Sequence, residues 1–431
     1  MKWLKLEYFI APAFLSYLLI ERGDGMKGKY LILTIIMAFT VAGSVGLNIN
    51  SMGVFLGPVS KDLNVMTGTF AIHATLISFG TAFAAFAVPE VLKRFSFKKV
   101  LIVSALVTAL STMVMGFSNA MWQFYILAFT RGVFAAFYGI VPLQLLINNW
   151  YKAKHGTVSS VVFAFSGVAG AIFAPMLTQL IQSIGWRQTY LVQALLFVLL
   201  ALPAIIYPFA FDPRDENKLP YGYQEEAADA DETGDDSGEE AFSYTQPTFV
   251  LLIVASLLIT ALTGLAQHFP AIGEEYGYLP TMAALMVSAG MLGNIIFKII
   301  IGFISDAKGA MVSVYTMLAT MVLGLIVIMT FRVAEISLLG SFLYGAVYSI
   351  SAVGLALVTK HIFSLKLFDK VYPSVNFIAN AGAAVAVSMY GYLYDFSGSY
   401  RLAIILSIIL AVVSILCLFL ADRMKSGQSK A

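Results

Sequence analysis

Two basic side chains lie inside stretches otherwise fit for hydrocarbon, Lys298 in GNIIFKIIIGF and Arg131 in FTRGVFAAFYG. A charge at the bilayer centre costs roughly 3 kcal/mol on insertion scales, so a cation kept there serves something other than bulk stability. An ammonium facing a passage can pair with a substrate carboxylate. It can also lose its proton near neutrality when desolvated, which a guanidinium cannot, so Lys298 is a candidate for both substrate binding and proton coupling. The competing reading of Lys298 is a snorkelling side chain, about four residues or about 6 Å from its helix end. Arg131 lies about 15 Å deep and must have partners. Its five donors suit either an anion or the carbonyls of adjacent helices.

His268, in QHFPAIGEEYG just before Pro270, can titrate near neutral pH and is a candidate for proton coupling or gating; His73 is a weaker one. Asn48, Tyr138, Asn294, Tyr344, Tyr348 and Asn380 are polar residues within apolar runs. Each can donate to a small anion or bond a neighbouring helix. Tyr344 and Tyr348 are four apart and share a helix face. No Asp or Glu lies in the central part of any span, so the usual carboxylate route for protons is closed and Lys298 is what remains. The alternatives to proton coupling are anion exchange and facilitated diffusion.

Enzyme signatures are missing: there is no HExxH, CxxC, phosphate-binding loop or nucleophile elbow. The single cysteine, Cys417, excludes a disulfide framework, and no metal or cofactor site is expected. Basic residues follow membrane topology and do not suggest nucleic-acid binding.

The elements that position these residues are set by a chain of 431 residues that is 59% hydrophobic and only 12% charged, with mean hydropathy +0.85. Lipid must be the solvent for most of it. Twelve apolar stretches are long enough to cross the bilayer, at 30–56, 68–89, 99–118, 122–149, 157–182, 188–210, 248–270, 281–304, 310–331, 335–360, 374–395 and 400–421. With both termini cytoplasmic, seventeen Lys and Arg fall on the inner side and only Lys61, Arg187, Arg332 and Arg401 on the outer, as the positive-inside rule requires. The apolar stretch 8–20 is too short to span. It reads as an interfacial helix, a signal-like region, or an upstream extension of a protein that begins at Met26.

Between spans 6 and 7 the chain is acidic, with 12 of its 24 acids between Asp212 and Glu240, and reads as a disordered linker. An internal repeat flanks it. PEVLKRFSFKKV at 89–100 matches GFISDAKGAMVS at 302–313 with an offset of 213, and GWR at 185–187 matches SYR at 399–401 with an offset of 214.

This 6 + 6 arrangement resembles the major facilitator superfamily of secondary transporters, and GFISDAKG at 302–309 resembles its G-x-L-x-D-x-x-G loop. The resemblance implies a conformational role for Gly302, Asp306 and Gly309, with the acid pairing neighbouring helix ends. In the first half Pro89, Lys93 and Ser96 replace the motif's glycine, acid and second glycine. Residues 166–187, SGVAGAIFAPMLTQLIQSIGWR, are similar to the fifth helix of the monocarboxylate porters and oxalate/formate antiporters. Those families carry a basic residue in helix 8 shortly before a glycine, here Lys298 before Gly302; the acid often found one turn earlier is Asn294 here.

The expectation is an all-α integral membrane protein with twelve transmembrane helices in two pseudo-symmetric six-helix bundles. Its parts are an extension (1–26), a first bundle (27–210), an acidic cytoplasmic linker (211–246), a second bundle (247–422) and a tail (423–431). The expected function is alternating-access transport of a small organic anion, a mono- or dicarboxylate, by a monomer in a bacterial plasma membrane, with protons or a second anion as coupling partner. A porter of neutral or amphipathic solutes, or a transport-inactive sensor or scaffold, are the alternatives.

Overall fold

The computed structural model describes residues 28–152, 155–223, 242–363 and 365–428. The apolar stretch 8–20, most of the acidic run and the end of the tail lie outside the described residues. In lipid every backbone N–H and C=O must be bonded within its own segment, so apolar runs of this length become helices. Among the described residues there are twelve. They are α1 Lys29–Asp62, α2 Thr67–Arg94, α3 Phe97–Met115 and α4 Met121–Trp150, followed by α5 (155–184) and α6 (186–206), which meet at a sharp turn at Gly185. The second six are α7 Pro247–Glu275, α8 Pro280–Lys308, α9 Ala310–Phe331, α10 Ala334–Ile362, α11 Leu365–Ser397 and α12 Arg401–Gln428.

Pro247 and Pro280 open α7 and α8 in the first turn, where a missing N–H costs nothing. Several helices outrun their apolar stretch: α2 continues to Arg94, α8 to Lys308 and α12 to Gln428. Hydropathy marks only the hydrocarbon part of a helix whose polar turns continue into the headgroup zone.

Four helices are irregular. α1 passes through a π-helical stretch, Ala42–Asn50, and a 3-10 turn, Met52–Phe55; α7 has a 3-10 stretch, Thr263–His268. α4 breaks between Ala136 and Ile140, and α10 has a π-helical stretch at Ile350–Gly354. Irregular backbone at membrane depth is tolerated only where protein buries it or water reaches it. These four helices therefore belong to the interior.

The two halves repeat in three dimensions with an offset of 213. Left-handed backbone occurs at Asn64 (φ +52°) and again at Gly277 (φ +83°), and at Gly185 (φ +83°) and again at Gly398 (φ +69°). A Cβ on Gly80 of α2 would lie 2.5 Å from the Phe129 carbonyl oxygen of α4, and one on Gly293 of α8 would lie 2.0 Å from that of Phe342 in α10. Both pairs of helices are thus locked by a glycine at the same crossing. The turn before the last helix of each half aligns Gly185 with Gly398, which corrects the offset of 214 expected from GWR and SYR. The structural counterpart is the left-handed glycine, not the shared arginine.

Asp62 at the end of α1 accepts from Trp186 Nε1 (3.1 Å) and lies 3.5 Å from Arg187. Its counterpart Glu275 at the end of α7 accepts from Ser399 Oγ (2.6 Å) and the Tyr400 amide (2.8 Å). One end of the molecule, termed distal, carries these clamps. The other, proximal, carries Lys29 and Gln428.

The expected disordered linker needs a correction at its start. Residues 212–223 fold onto the proximal end of the first half: the Tyr221 amide donates to Trp150 O (2.8 Å), the Lys152 amide donates to Tyr221 O (3.0 Å), and Lys29 pairs with Glu216. Tyr221 also packs edge-on against Tyr30 at 5.5 Å. Aromatic residues and a basic partner at the foot of α1 give this segment contacts that its composition alone does not suggest.

Candidate functional site

The halves meet along α1–α7, α2–α11 and α5–α8. At the first seam the Gly53 amide donates to Gln267 Oε1 (2.9 Å), and Gln267 Nε2 donates to Ile49 O (3.0 Å). At the second, Asp395 of α11 accepts from the amides of Thr67 (3.0 Å) and Gly68 (2.7 Å), so a carboxylate of one half caps a helix of the other. Two to three turns deeper, Thr75 Oγ1 donates to Ala384 O (2.7 Å). At the third, Ser288 Oγ donates to Ala171 O (2.6 Å). Among the described residues, the hydrogen bonds that cross between halves lie at these places, distal to or near the middle of the helices.

Lys298 lies just past this closed zone. One turn before it, Asn294 is buried against α5, where a Cβ on Gly167 would be 3.5 Å from Asn294 Nδ2. Residues four apart share a helix face, so Lys298 continues the face that meets α5. The opposite face is marked by Ile299 and Phe303, 59% and 71% exposed. One turn beyond Lys298, a Cβ on Gly302 would meet nothing within 4 Å. Open space thus begins one turn past Lys298, which is half-buried and has no hydrogen-bond or ion-pair partner among the described residues. α8 runs ten residues beyond it, to Lys308, its last polar turns extending past the apolar stretch.

Two other expected residues share this region, and Asn380 lies along the α2–α11 seam. Among the described residues Asn294 Oδ1 has no hydrogen-bond partner, and its Nδ2 meets Met291 Sδ at 3.8 Å. A Cβ on Gly345 of α10 would lie 2.7 Å from the Asn294 amide nitrogen, so Tyr348, three residues on, continues at about the depth of Lys298. Tyr348 is half-buried. Asn380 of α11 is exposed one turn before Ala384, the residue that meets α2, and its Nδ2 donates to Asn376 O (2.8 Å).

The remaining expected residues are enclosed within single halves. Arg131, 1% exposed, donates through Nε to Asn48 Oδ1 and through Nη2 to Asn48 O (2.9 Å), with its guanidinium 5.1 Å from the Phe197 ring centre. It braces the π-helical stretch of α1, whose loosened carbonyls need donors. Asn48 is buried with its Oδ1 and carbonyl taken by Arg131; its Nδ2, like the hydroxyl of Tyr138 buried in the same half, has no hydrogen-bond partner among the described residues. Tyr344, at Arg131's equivalent position 213 residues on, donates its hydroxyl to Leu262 O where α7 turns 3-10. His268 is fully buried: Nε2 donates to Val387 O (2.8 Å) and Nδ1 accepts from the Tyr400 hydroxyl (2.9 Å). A neutral imidazole satisfies both bonds, so both ring nitrogens are engaged within the second half. His73 is likewise buried, bonded to Phe70 O.

Gly309 adopts φ +90° between α8 and α9, which requires glycine, whereas its counterpart Ser96 has φ −62°. The first-half loop has lost the glycine because its turn is built with ordinary backbone. Asp306 is exposed and pairs with no base among the described residues; with the proximal seam open beside Gly302, no helix end stands opposite it. Sequence reasoning missed Asp395, Thr75, Ser288 and Gln267. The offset of 213, applied to every polar residue rather than to loops, would have flagged the pair Thr75 and Ser288.

Two related six-helix halves, joined by breakable hydrogen bonds on one side and parted on the other, are the architecture of a membrane transporter. The family model described as Major Facilitator Superfamily matches residues 34–366 and also 251–431, most of the chain, and the protein belongs to that superfamily. Among curated relatives, the Uncharacterized MFS-type transporter YcxA of Bacillus subtilis (strain 168) is 19% identical over 191 residues, 41% of this chain and 44% of that one. The Probable sulfoacetate transporter SauU of Cupriavidus necator is 27% identical over 129 residues, 27% of this chain and 30% of that one. The chain thus spans less than half the length of either relative. Among solved structures, the nucleoside transporter NupG matches with TM-score 0.70 at 10% identity, over 91% of this chain and 99% of that one. A bacterial homolog of the human lysosomal transporter Spinster, inward-facing and occupied, matches with TM-score 0.66 at 12% identity, over 93% and 98%. At such identities the likeness is one of fold. The protein is a multi-pass membrane transporter with bacterial relatives.

Proposed function

We propose that this transporter carries a small organic anion bearing a carboxylate or a sulfonate, and that Lys298 receives it. The observation that carries the reading is an unpartnered ammonium on the seam face of α8, one turn before open space begins. Asn294 and Tyr348 supply polar groups around it, Asn380 supplies one along the α2–α11 seam, and the name of the relative SauU supports an anionic cargo. The proximal end, where basic loop residues gather, is the cytoplasmic one, and the membrane is the bacterial plasma membrane. Residues 27–210 and 247–422 act as the two moving bundles, joined by 211–246, so the described state opens to the cytoplasm.

Lys298 couples transport to protons: it charges in the empty passage and is neutralised by the arriving anion. Anion exchange is the rival mode, since among the described residues no carboxylate pairs with Lys298. Proteoliposome uptake of labelled carboxylates and sulfonates, with and without a pH gradient, tests this. The expected result is anion uptake abolished by Lys298→Ala. Uptake of a neutral solute that survives Lys298→Ala would sink the reading.

A further inference from the structure

Four cations cluster at the proximal turn between α2 and α3. Lys93 and Arg94 pair with Glu90 at 3.6 and 2.8 Å, and Lys98 Nζ donates to Tyr207 O (3.4 Å). Among the described residues, Lys99 alone of the four has no partner. It stands at the mouth of an apolar groove of about 230 Å³ on the outer surface of the first half, walled by Val91 of α2, Val103 of α3 and Phe134 and Phe137 of α4. No side chain caps the N-terminus of α3, so the first amides of that helix are open to an acceptor beside Lys99.

Besides Lys99, one polar side chain lines the groove. Ser104 is 2% exposed and makes no hydrogen bond among the described residues, so its hydroxyl opens only onto the groove. It lies five residues, about 7.5 Å, below Lys99 along α3. A cation, free helix amides, then a lone hydroxyl, then apolar walls follow the order of parts in a phospholipid: phosphate, glycerol ester, acyl chain.

We propose that this groove is a binding site for an anionic phospholipid of the proximal leaflet. The phosphate sits on Lys99 and the N-terminus of α3, an ester carbonyl accepts from Ser104, and one chain runs between α3 and α4. Because the groove spans α2, α3 and α4, an occupant ties the seam helix α2 to the body of its half. The charge near the surface selects against zwitterionic headgroups, whose ammonium Lys99 repels.

The test is native mass spectrometry of the purified full-length chain with equimolar phosphatidylglycerol and phosphatidylcholine. Phosphatidylglycerol should be retained about fivefold more, the factor expected of one surface cation. Lys99→Gln should bring the two to parity, and Ser104→Ala should lower retention of both lipids without changing their ratio. Lys93→Gln, beside the groove but paired with Glu90, should leave the ratio intact. Equal retention by the unaltered protein overturns the proposal. So does a loss of selectivity in Lys93→Gln as large as in Lys99→Gln, which would mean diffuse surface charge. Loss of the preference on adding excess inorganic phosphate overturns it too, since the site would then be one for a free anion.

Discussion

Thr75 and Ser288, 213 residues apart, do the same thing in opposite halves: each donates across the seam to the carbonyl of an alanine, Ala384 and Ala171, themselves 213 apart. The α2–α11 and α5–α8 contacts are therefore symmetry mates, closed together on the distal side. Alternating access requires both to part. Such hydrogen bonds contribute about 1 kcal/mol each, so Thr75→Val or Ser288→Ala should raise the distally open population about fivefold. Spin labels at Asn119→Cys and Arg332→Cys, in a Cys417→Ala background, would report it as a longer distal distance. An unchanged distribution in both variants would show that these bonds do not hold the closed state.

Lys298→Arg keeps a positive charge but cannot release its proton at accessible pH. The variant is expected to retain anion binding while the pH dependence of uptake flattens. Uptake measured between pH 5 and 8 decides the matter, and a profile like that of the unaltered protein would exclude Lys298 as the proton carrier while leaving its role as anion receptor intact.

Arg131→Lys should damage stability rather than recognition. Loss of the forked bond to Asn48 inside a buried site is expected to cost roughly 2–3 kcal/mol, seen as a lower unfolding temperature in detergent, with KM for the anion unchanged. A raised KM at unaltered stability would place Arg131 in contact with substrate.

Tyr344 and Tyr348 share a face but not a fate. Tyr344→Phe should cost about 1 kcal/mol of stability by leaving Leu262 O short of a donor, without touching KM. Tyr348→Phe should leave stability alone and raise KM. Reversed effects would mean that the passage lies on the other side of α10.

Glu216 gives the proximal strap a pH dependence. Partial burial pushes its carboxyl up, but hydrogen bonds from Lys29, the Ala210 amide and Lys218 outweigh that and hold it down at about 2. A carboxyl depressed on folding stabilises fully above its ordinary range near 4.5, and that contribution fades as pH falls toward 2. The difference in melting temperature between the protein and Glu216→Gln should accordingly shrink over that interval. A constant difference would mean that the Glu216 charge is not what fastens the strap.

The fold was legible because hydropathy and loop charge obey the bilayer, which leaves few alternatives for apolar runs of 20 or more residues. Of the candidate site, the sequence supplied residue types and helical spacing: Asn294 and Lys298, four apart, share a face in any helix. It could not tell Arg131 and Tyr344 from passage-lining residues, since what occupies them is a carbonyl freed by a helix irregularity, and nothing in AGSVGLNIN or TGLAQH announces where the backbone will loosen. Asp395 was missed for a related reason: its partners are main-chain amides on the other half, which leave no mark in residue type.

The acid clamps at Asp62 and Glu275 fix where this molecule can bend. Each fastens the far end of its half's first helix to the start of its last, so those two helices cannot slide past one another there. Flexing must then be absorbed lower down, in the loosened turns of Ala42–Asn50 and Thr263–His268. Arg131 and Tyr344 brace these same stretches, so how far each yields rests on one side chain.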